Sequence, residues 1–142
     1  MVNELLSKYW KIAAVAVFIS LLLIAIRWAY IYLYYTLPPQ LVSITLKYQP
    51  ESPCRKDSPL HMQILNDSYR DVLGTSFAVS VKVNEDGDNI AQLLSNTYST
   101  DTVIKAGKSH EGCWSFPKLY TSKHDPNELI YEAKRQVVRF QD

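Results

Sequence analysis

The chain changes from one hydrophobic pattern to another at the prolines at positions 38 and 39. Before them, residues 12–26 read IAAVAVFISLLLIAI, with one serine and no charge. Flanking aromatic and aliphatic residues extend this segment to residues 9–31, and a helix needs about 20 such residues to cross a bilayer core. The first pattern therefore predicts a single transmembrane helix, continued as a short stalk up to the prolines, which disfavour helix.

Two other interpretations of the apolar segment remain as alternatives. A cleaved secretory signal would carry small residues three positions and one position before its cleavage site, and no such pair lies just beyond residue 26. A lipoprotein signal would need a cysteine there, but the first cysteine is Cys54. A buried helix of a soluble protein would show a polar face. We therefore expect an uncleaved anchor.

The distribution of cations predicts the orientation of this anchor. Lys8 and Lys11 lie on its amino-terminal side, whereas the next cation after Arg27 is Lys47. Lysine and arginine are enriched on the cytoplasmic side of membrane spans. We expect three parts: a short cytoplasmic amino terminus (1–8), a transmembrane helix with its membrane-proximal stalk (9–37) and an extracytoplasmic domain (38–142).

A group of aromatic and basic side chains is expected at the membrane interface. At about 1.5 Å per residue, Arg27 lies about 27 Å along the helix from Tyr9, where a long side chain reaches the headgroups. Tyrosine and tryptophan favour the same depth and can stack on a guanidinium. The alternative for Arg27 is an ion pair with an acid on a partner helix. The expected interface residues are Trp10, Arg27, Trp28, Tyr30 and Tyr34.

After the prolines, apolar residues recur with a period close to two, which indicates β-strands. The alternating segments are residues 41–48, 60–65, 76–83, 102–104, 113–116 and 129–140, the last with a bulge near Lys134 and Arg135. Short strands separated by turn residues, without long amphipathic helices, are typical of antiparallel sandwiches. We predict a mainly β fold: an antiparallel β-sandwich, immunoglobulin- or fibronectin-like in general architecture, preceded by one transmembrane helix.

Cys54 and Cys113 are the chain's two cysteines, and both fall in the part expected outside the cytoplasm. An isolated pair in an oxidising compartment forms a disulfide, and a loop of about 60 residues closed in this way gains about 4 kcal/mol in the chain-entropy model. The alternative is two reduced, buried cysteines in a cytosolic domain. A true immunoglobulin domain would place a tryptophan between its cysteines; here none lies between them.

Charge and motifs exclude several classes of function. Fifteen Lys and Arg face fourteen Asp and Glu, interleaved along the chain, so there is no basic stripe for nucleic acid. The histidines at 61, 110 and 124 follow no zinc-ligand spacing, and neither a G-x-S-x-G elbow nor a phosphate loop is present. We expect no metal, no cofactor and no enzymatic activity. Asn66-Asp67-Ser68 matches the N-glycosylation pattern.

The remaining functional signal is aromatic. Trp114, Phe116 and Tyr120 follow the second cysteine in CWSFPKLY; they are either core residues or an interaction edge, since aromatic anchors are typical of interface centres. The sequence thus favours a non-catalytic binding or accessory subunit, in the simplest setting in a bacterial inner membrane with a periplasmic domain. Its expected partners are membrane lipid and a membrane or periplasmic protein. The alternatives are a tethered extracytoplasmic enzyme and a subunit that acts through its transmembrane helix on a polytopic membrane protein.

Overall fold

The computed structural model describes residues 2–92, 95–121 and 123–141, with side chains from residue 9 onward. The chain forms two compact units, Met1–Leu37 and Pro38–Asp142. The first unit is helical: α1 spans Val2–Ile31 and a π-helical turn spans Tyr32–Thr36. A short helix, α2, spans Leu37–Gln40, and three of its four residues belong to the second unit.

The predicted apolar helix is confirmed. The helical segment Tyr9–Gln40 has a mean hydropathy of 2.4 in its most apolar window, none of which is buried in protein. A helix of this length and composition could span a membrane, and at this position it fits either a membrane anchor or a signal sequence. The prolines at 38 and 39 lie in α2, directly after the π-helical turn, so the helical segment ends at Gln40 rather than before the prolines.

The second unit is built from antiparallel β-strands. Within the described residues, β1-β2-β5 form one three-stranded sheet and β4-β3-β6 form another. A short 3-10 turn, Pro126–Glu128, precedes the last strand. The strands are β1 Val42–Tyr48, β2 Leu60–Asn66, β3 Val72–Lys82, β4 Thr97–Thr100, β5 Lys108–Trp114 and β6 Ile130–Phe140.

One buried hydrophobic cluster receives side chains from both sheets. Every second side chain of β2 from Leu60 to Ile64, and of β3 from Phe77 to Val81, enters this cluster, and Phe77 stacks on Tyr98 at a centroid distance of 6.0 Å. The cluster consists of Val42, Leu46, Leu60, Met62, Ile64, Val72, Phe77, Val79, Val81, Ala91, Tyr98, Ile104 and Leu129.

The predictions for individual strands are confirmed in part. The segments assigned to β1, β2, β3 and β6 are strands, although β3 begins before residue 76. The predicted strand at 102–104 is wrong: there only Ile104 forms an isolated bridge, to Val72, and the strand lies at Thr97–Thr100. Phe116 lies outside β5, which ends at Trp114. The sequence TYST of β4 has a single apolar residue, so its pattern gives no hydrophobic alternation to detect.

The predicted bulge in the last strand is confirmed. Ser76 pairs with Val137 and Ala78 with Lys134, so Phe77 faces two residues of β6. Arg135 has a φ of 53°, and an extra residue in such a conformation bends the strand. The next side chain, Gln136, donates from its Nε2 to the carbonyl of Val42 at 3.1 Å and so links the edges of the two sheets.

The register divides the β domain into two ends. One end, which we call the asparagine end, comprises Leu41–Val42, Asn66–Val72, Ile104–Lys108 and Phe140. The opposite end, which we call the aromatic end, comprises Tyr48–Leu60, Lys82, Trp114–Phe116 and Pro126–Tyr131. The chain enters the domain at Pro38, which lies next to the asparagine end because β1 begins at Val42.

Asn66 organises the asparagine end. Its side chain is fully buried, and its Nδ2 donates to the carbonyls of Arg70 at 2.8 Å and Ile104 at 3.0 Å. Its Oδ1 accepts from the N–H of Ser68 at 3.1 Å and from the Ser68 hydroxyl at 2.6 Å. The glycosylation motif at Asn66 is therefore a structural turn: in the folded domain the amide nitrogen has no path to a glycosyl donor.

Candidate functional site

The predicted disulfide is present at the aromatic end. Cys54 and Cys113 are bonded with their Cα atoms 5.6 Å apart, and Cys54 is buried. The bond attaches the proline-rich loop between β1 and β2 to the end of β5. Because that loop contributes few core residues, the disulfide is what fixes its position next to Trp114.

Phe116 forms an aromatic cluster with two tyrosines that come from distant strands. Its ring lies 5.6 Å from that of Tyr48 and 6.2 Å from that of Tyr131, with both pairs near perpendicular. Edge-to-face pairs of this kind contribute about 1 kcal/mol each beyond the area that they bury. Sequence reasoning did not identify Tyr48 and Tyr131 as site residues. Each lies at or next to the end of a strand, and the hydrophobic alternation there does not distinguish it from other strand residues.

The other two predicted partner-binding residues lie apart from this cluster. Trp114 is half-buried against the hydrophobic cluster, and its ring covers Gly112, where a Cβ would collide with it. Tyr120 is 75% exposed, and its backbone N–H donates to the carbonyl of Ile90 at 2.9 Å. The structure therefore places Trp114 in a packing role and leaves Tyr120 as a separate surface residue.

Two cavities flank the aromatic cluster. The larger, of about 360 Å³, is lined by residues of β1, of the 3-10 turn and of β6: Leu46, Lys47, Tyr48, Pro126, Asn127, Leu129, Ile130 and Tyr131. The other, of about 320 Å³, is lined by Phe116, Pro117, Leu119, His124 and Pro126. Pro126 belongs to both linings, and the Tyr131 hydroxyl donates to its carbonyl at 2.8 Å, which holds the 3-10 turn between the cavities.

The tyrosines of the domain interior act as neutral hydrogen-bond donors. Burial, followed by the electrostatic influence of Tyr48 and Asp125, raises the pKa of Tyr131 far above its usual value of 10.0. Burial also raises the pKa of Tyr98, whose hydroxyl donates to the carbonyl of Ser115 at 3.0 Å. Because both phenols stay protonated near neutral pH and donate their hydrogens to backbone carbonyls, this end of the domain offers aromatic rings rather than an ionised base.

The larger cavity opens into a cleft between the edge strands of the two sheets. β1 borders the first sheet and β6 the second, and the two strands lie alongside each other. At the asparagine end Gln136 closes the gap by its bond to Val42. Toward the aromatic end the strands diverge and the cavity lies between Leu46–Tyr48 and Leu129–Tyr131. We call this gap the β1/β6 cleft.

Titratable groups are scattered across the domain. Among residues 2–92, 95–121 and 123–141, no three or more His, Cys, Asp or Glu side chains come together in a way that could hold a metal ion. His61 and Glu111 approach each other without bonding: the Nε2 of His61 is 3.6 Å from the Oε2 of Glu111, beyond hydrogen-bond distance. The absence of metal, cofactor and enzymatic activity stays a prediction.

In the helical unit the predicted interface residues gather around the π-helical turn. The rings of Tyr30 and Tyr34 stack at 5.5 Å with an interplanar angle of 11°, and Tyr35 packs on Tyr34 at 4.9 Å. The N–H of Leu37 donates to the carbonyl of Tyr32, five residues earlier, and this wider turn brings Tyr30 within 6.4 Å of Tyr35 as well.

The remaining predicted interface residues have open surroundings within the helical unit. Trp10 is 76% and Trp28 69% exposed, and Arg27 is also exposed. Their assignment to a membrane interface stays a prediction.

Comparison of the chain with protein-family models, with curated proteins and with solved structures finds no match to any of them. The functional argument therefore depends on the site alone.

Proposed function

We propose that this protein is a single-pass membrane-anchored binding subunit whose β domain is a sandwich of the general immunoglobulin or fibronectin kind, presented outside the cytoplasm. The simplest setting is a bacterial inner membrane with the domain in the periplasm. The sandwich interpretation is supported by the hydrophobic cluster that both sheets share, and the anchor by the exposed apolar helix.

The observation that carries the binding role is the aromatic end itself. It holds two adjacent cavities of about 360 and 320 Å³ with aromatic linings and a shared proline, held by a disulfide and by a tyrosine hydrogen bond. Pockets lined by aromatic side chains with a few polar groups are typical binding sites, and the ring cluster fixes their shape before any partner arrives.

Site-specific photo-crosslinking tests the binding role in intact membranes. A benzophenone side chain replaces Asn127, which lines the larger cavity, and in a matched variant it replaces Tyr69, which is 54% exposed at the asparagine end. We expect a discrete protein adduct from position 127 and none from position 69. Equal adducts from both positions, or lipid adducts alone, would contradict a binding site at the aromatic end.

Thiol labelling of intact cells tests the orientation. A membrane-impermeant maleimide should label Cys54 and Cys113 only after an impermeant reductant has opened their bond. Labelling without reductant, or labelling only after the cells are lysed, would overturn the extracytoplasmic placement.

The alternative in which the helix itself is the working part has one feature in its favour. Arg27 follows a long uncharged run and is exposed on the helix, so it could pair with an acid on a polytopic partner. Replacement of residues 9–31 by an unrelated transmembrane anchor separates the two functions: full activity of this chimera would exclude the helix as the working part.

A further inference from the structure

The hydrogen-bond register shows which backbone groups of β1 face the β1/β6 cleft. The N–H of Asp67 donates to Leu41 at 2.9 Å and the N–H of Gln49 to Pro59 at 2.6 Å. Hydrogen-bonded pairs alternate along an antiparallel ladder, so the odd-numbered residues of β1 bond to β2 and the even-numbered ones face away. Val42 is one of these, and its carbonyl accepts from Gln136. The N–H and C=O groups of Ile44, Leu46 and Tyr48 therefore line the open edge.

The same argument applies to β6. The N–H of Val79 donates to Asn96 at 3.0 Å, and the carbonyl of Val81 accepts from Ile90 at 2.8 Å, so the odd-numbered residues at this end of β3 face away from β6. Its even-numbered residues therefore bond to β6, which leaves the backbone groups of Tyr131 and Ala133 on the outer side. Among the described residues no strand pairs with this edge or with the open edge of β1.

We propose that the β1/β6 cleft binds an extended segment of a partner protein as an added strand on β1, with an apolar side chain of that segment in the larger cavity and an acidic group beside Lys47. This proposal rests on the proposed binding function and names its mode. Strand addition takes its affinity from main-chain hydrogen bonds and its specificity from pockets for alternate side chains. The cleft supplies both within one site.

The geometry favours a single extended segment over a second folded sheet. The 3-10 turn at Pro126–Glu128 forms a wall of the larger cavity, and a whole domain approaching with its own edge strand would meet this turn. A single chain needs only the spacing of about 4.8 Å from its neighbouring strand.

The charges near the cleft favour an acidic segment. Lys47 lines the cavity and is exposed, and Arg135 is exposed in the bulge where the cleft closes. The acid on this part of β6, Glu132, is already paired with Lys134 at 2.9 Å, and that interaction lowers its pKa. A segment with acidic residues at its ends therefore complements the two cations, and the remaining acids near the larger cavity, Asp125 and Glu128, lie in and beside the 3-10 turn rather than on the edge strands.

Amide hydrogen exchange of the full chain in lipid nanodiscs tests the proposal directly. The probe is a blocked heptapeptide in which valine alternates with threonine and with a terminal glutamate at each end. Main-chain pairing should slow exchange at the amides of Ile44 and Leu46 by about tenfold or more. The amides of Thr45 and Lys47 are internal references, because they are already bonded to β2 and should not change.

A second peptide and a second protein variant keep the test specific. The same heptapeptide with alternate amides N-methylated retains its side chains but loses the donors, and it should leave the exchange rates unchanged. Lys47→Glu places a carboxylate beside a terminal glutamate of the peptide and should abolish the effect, whereas Lys108→Glu, at an exposed position of the asparagine end, should preserve it.

Three results would overturn strand addition at β1. They are slowing by the N-methylated peptide to the same extent, no slowing at Ile44 and Leu46 with millimolar peptide, and slowing confined to Ser109, Glu111 and Cys113 on the open edge of β5. The photo-crosslinking result is independent of these outcomes. A protein adduct at position 127 together with unchanged exchange would retain the binding function and refute this mode of binding.

Discussion

The two ends of the β domain are held together by different means. At the asparagine end, one buried side-chain amide satisfies the backbone: Asn66 makes four hydrogen bonds to neighbouring groups. At the aromatic end, a disulfide and a ring cluster hold the loops, and cavities remain between them. A saturated network offers a partner nothing to bind, whereas cavities lined by aromatic rings and a few polar side chains do. This difference is why we assign binding to the aromatic end.

The β1/β6 cleft follows the same division. It is closed by the Gln136 side chain at the asparagine end and widens into a cavity at the aromatic end. The bulge at Arg135 has two effects: it brings Gln136 to the edge of β1, and it interrupts the outer edge of β6. A bulge in an edge strand protects a sheet from unwanted pairing. The regular backbone edge that stays available for pairing is therefore the part next to the larger cavity.

Removal of the disulfide should have the largest effect: it lowers the stability of the whole domain and, in addition, loosens the loop at the aromatic end. The variant Cys54→Ala with Cys113→Ala releases a 59-residue constraint, and the chain-entropy model gives a loss of about 4 kcal/mol. We expect amide exchange to accelerate in the loop 49–59 while Asn66 and Ile104 keep their protection relative to global unfolding. If exchange in the loop accelerated no more than exchange at Asn66 and Ile104, the two ends would form one cooperative unit and the comparison would fail.

The next largest effect should come from Asn66 at the opposite end. Asn66→Ala leaves the carbonyls of Arg70 and Ile104 and the N–H of Ser68 without their buried partner, at a cost of about 3 kcal/mol in the free energy of unfolding. Denaturant titration of the full chain in detergent measures this loss. Asn89→Ala, which removes a half-buried amide bonded to Val81 and Ala91, is the comparison variant and should cost less. An equal or smaller loss at Asn66 would contradict its organising role.

The sequence predicts the features whose signal lies within a few neighbouring residues, but not those that depend on contacts between residues far apart in the chain. The helix and four of the strands follow from local periodicity, because the spacing of apolar residues within each element shows which face is apolar. β4 and the true end of β5 do not follow. The strand TYST has one apolar residue, and Phe116 leaves the ladder although it continues the apolar alternation.

The candidate site was predictable only in part. Phe116 and the two cysteines were identified from their neighbours in sequence, but the partners of Phe116 come from β1 and β6, and no local signal joins Tyr48 to Tyr131. The roles of buried asparagines could not be predicted from the sequence either. Asn96 forms hydrogen bonds with both backbone groups of Lys118, at 2.7 Å each. In sequence such a residue looks like any turn asparagine.

A smaller effect is expected when the aromatic end loses one hydrogen bond. Tyr131→Phe keeps the ring cluster but removes the bond to Pro126, which should cost about 1 kcal/mol. Because burial raises the pKa of Tyr131 in the folded state, this contribution is complete below pH 10.0 and is lost as pH rises through the folded-state pKa. Denaturant titrations at neutral and alkaline pH measure it. Tyr69→Phe, at an exposed position, should show neither effect, and a loss as large as that at Tyr131 would contradict the assignment.

The bond that closes the cleft should contribute less. Gln136→Ala removes the half-buried bond to Val42 and should cost about 0.5 kcal/mol, while the amides of Ile44 and Leu46 become no better protected. Gln63→Ala is the matched control, since its bond to Glu111 is exposed on the face of the sheet. Loss of folding in Gln136→Ala would show that the whole domain depends on the bulge. The two ends could then not be treated as separately stabilised parts of the domain.

The smallest effect should appear at the surface of the asparagine end, where Asp71 accepts from Lys105 at 2.7 Å and from the N–H of Ala106 at 3.0 Å. The hydrogen bond from Lys105 lowers the pKa of Asp71 below 3.8, so its stabilisation is present above that value and is lost as pH falls through the folded-state pKa. Asp71→Asn should therefore be slightly less stable than the natural chain at about pH 7, and this difference should be smaller at about pH 2. Melting curves at the two pH values measure it: a difference that is as large in acid would mean that Asp71 acts by shape rather than by charge.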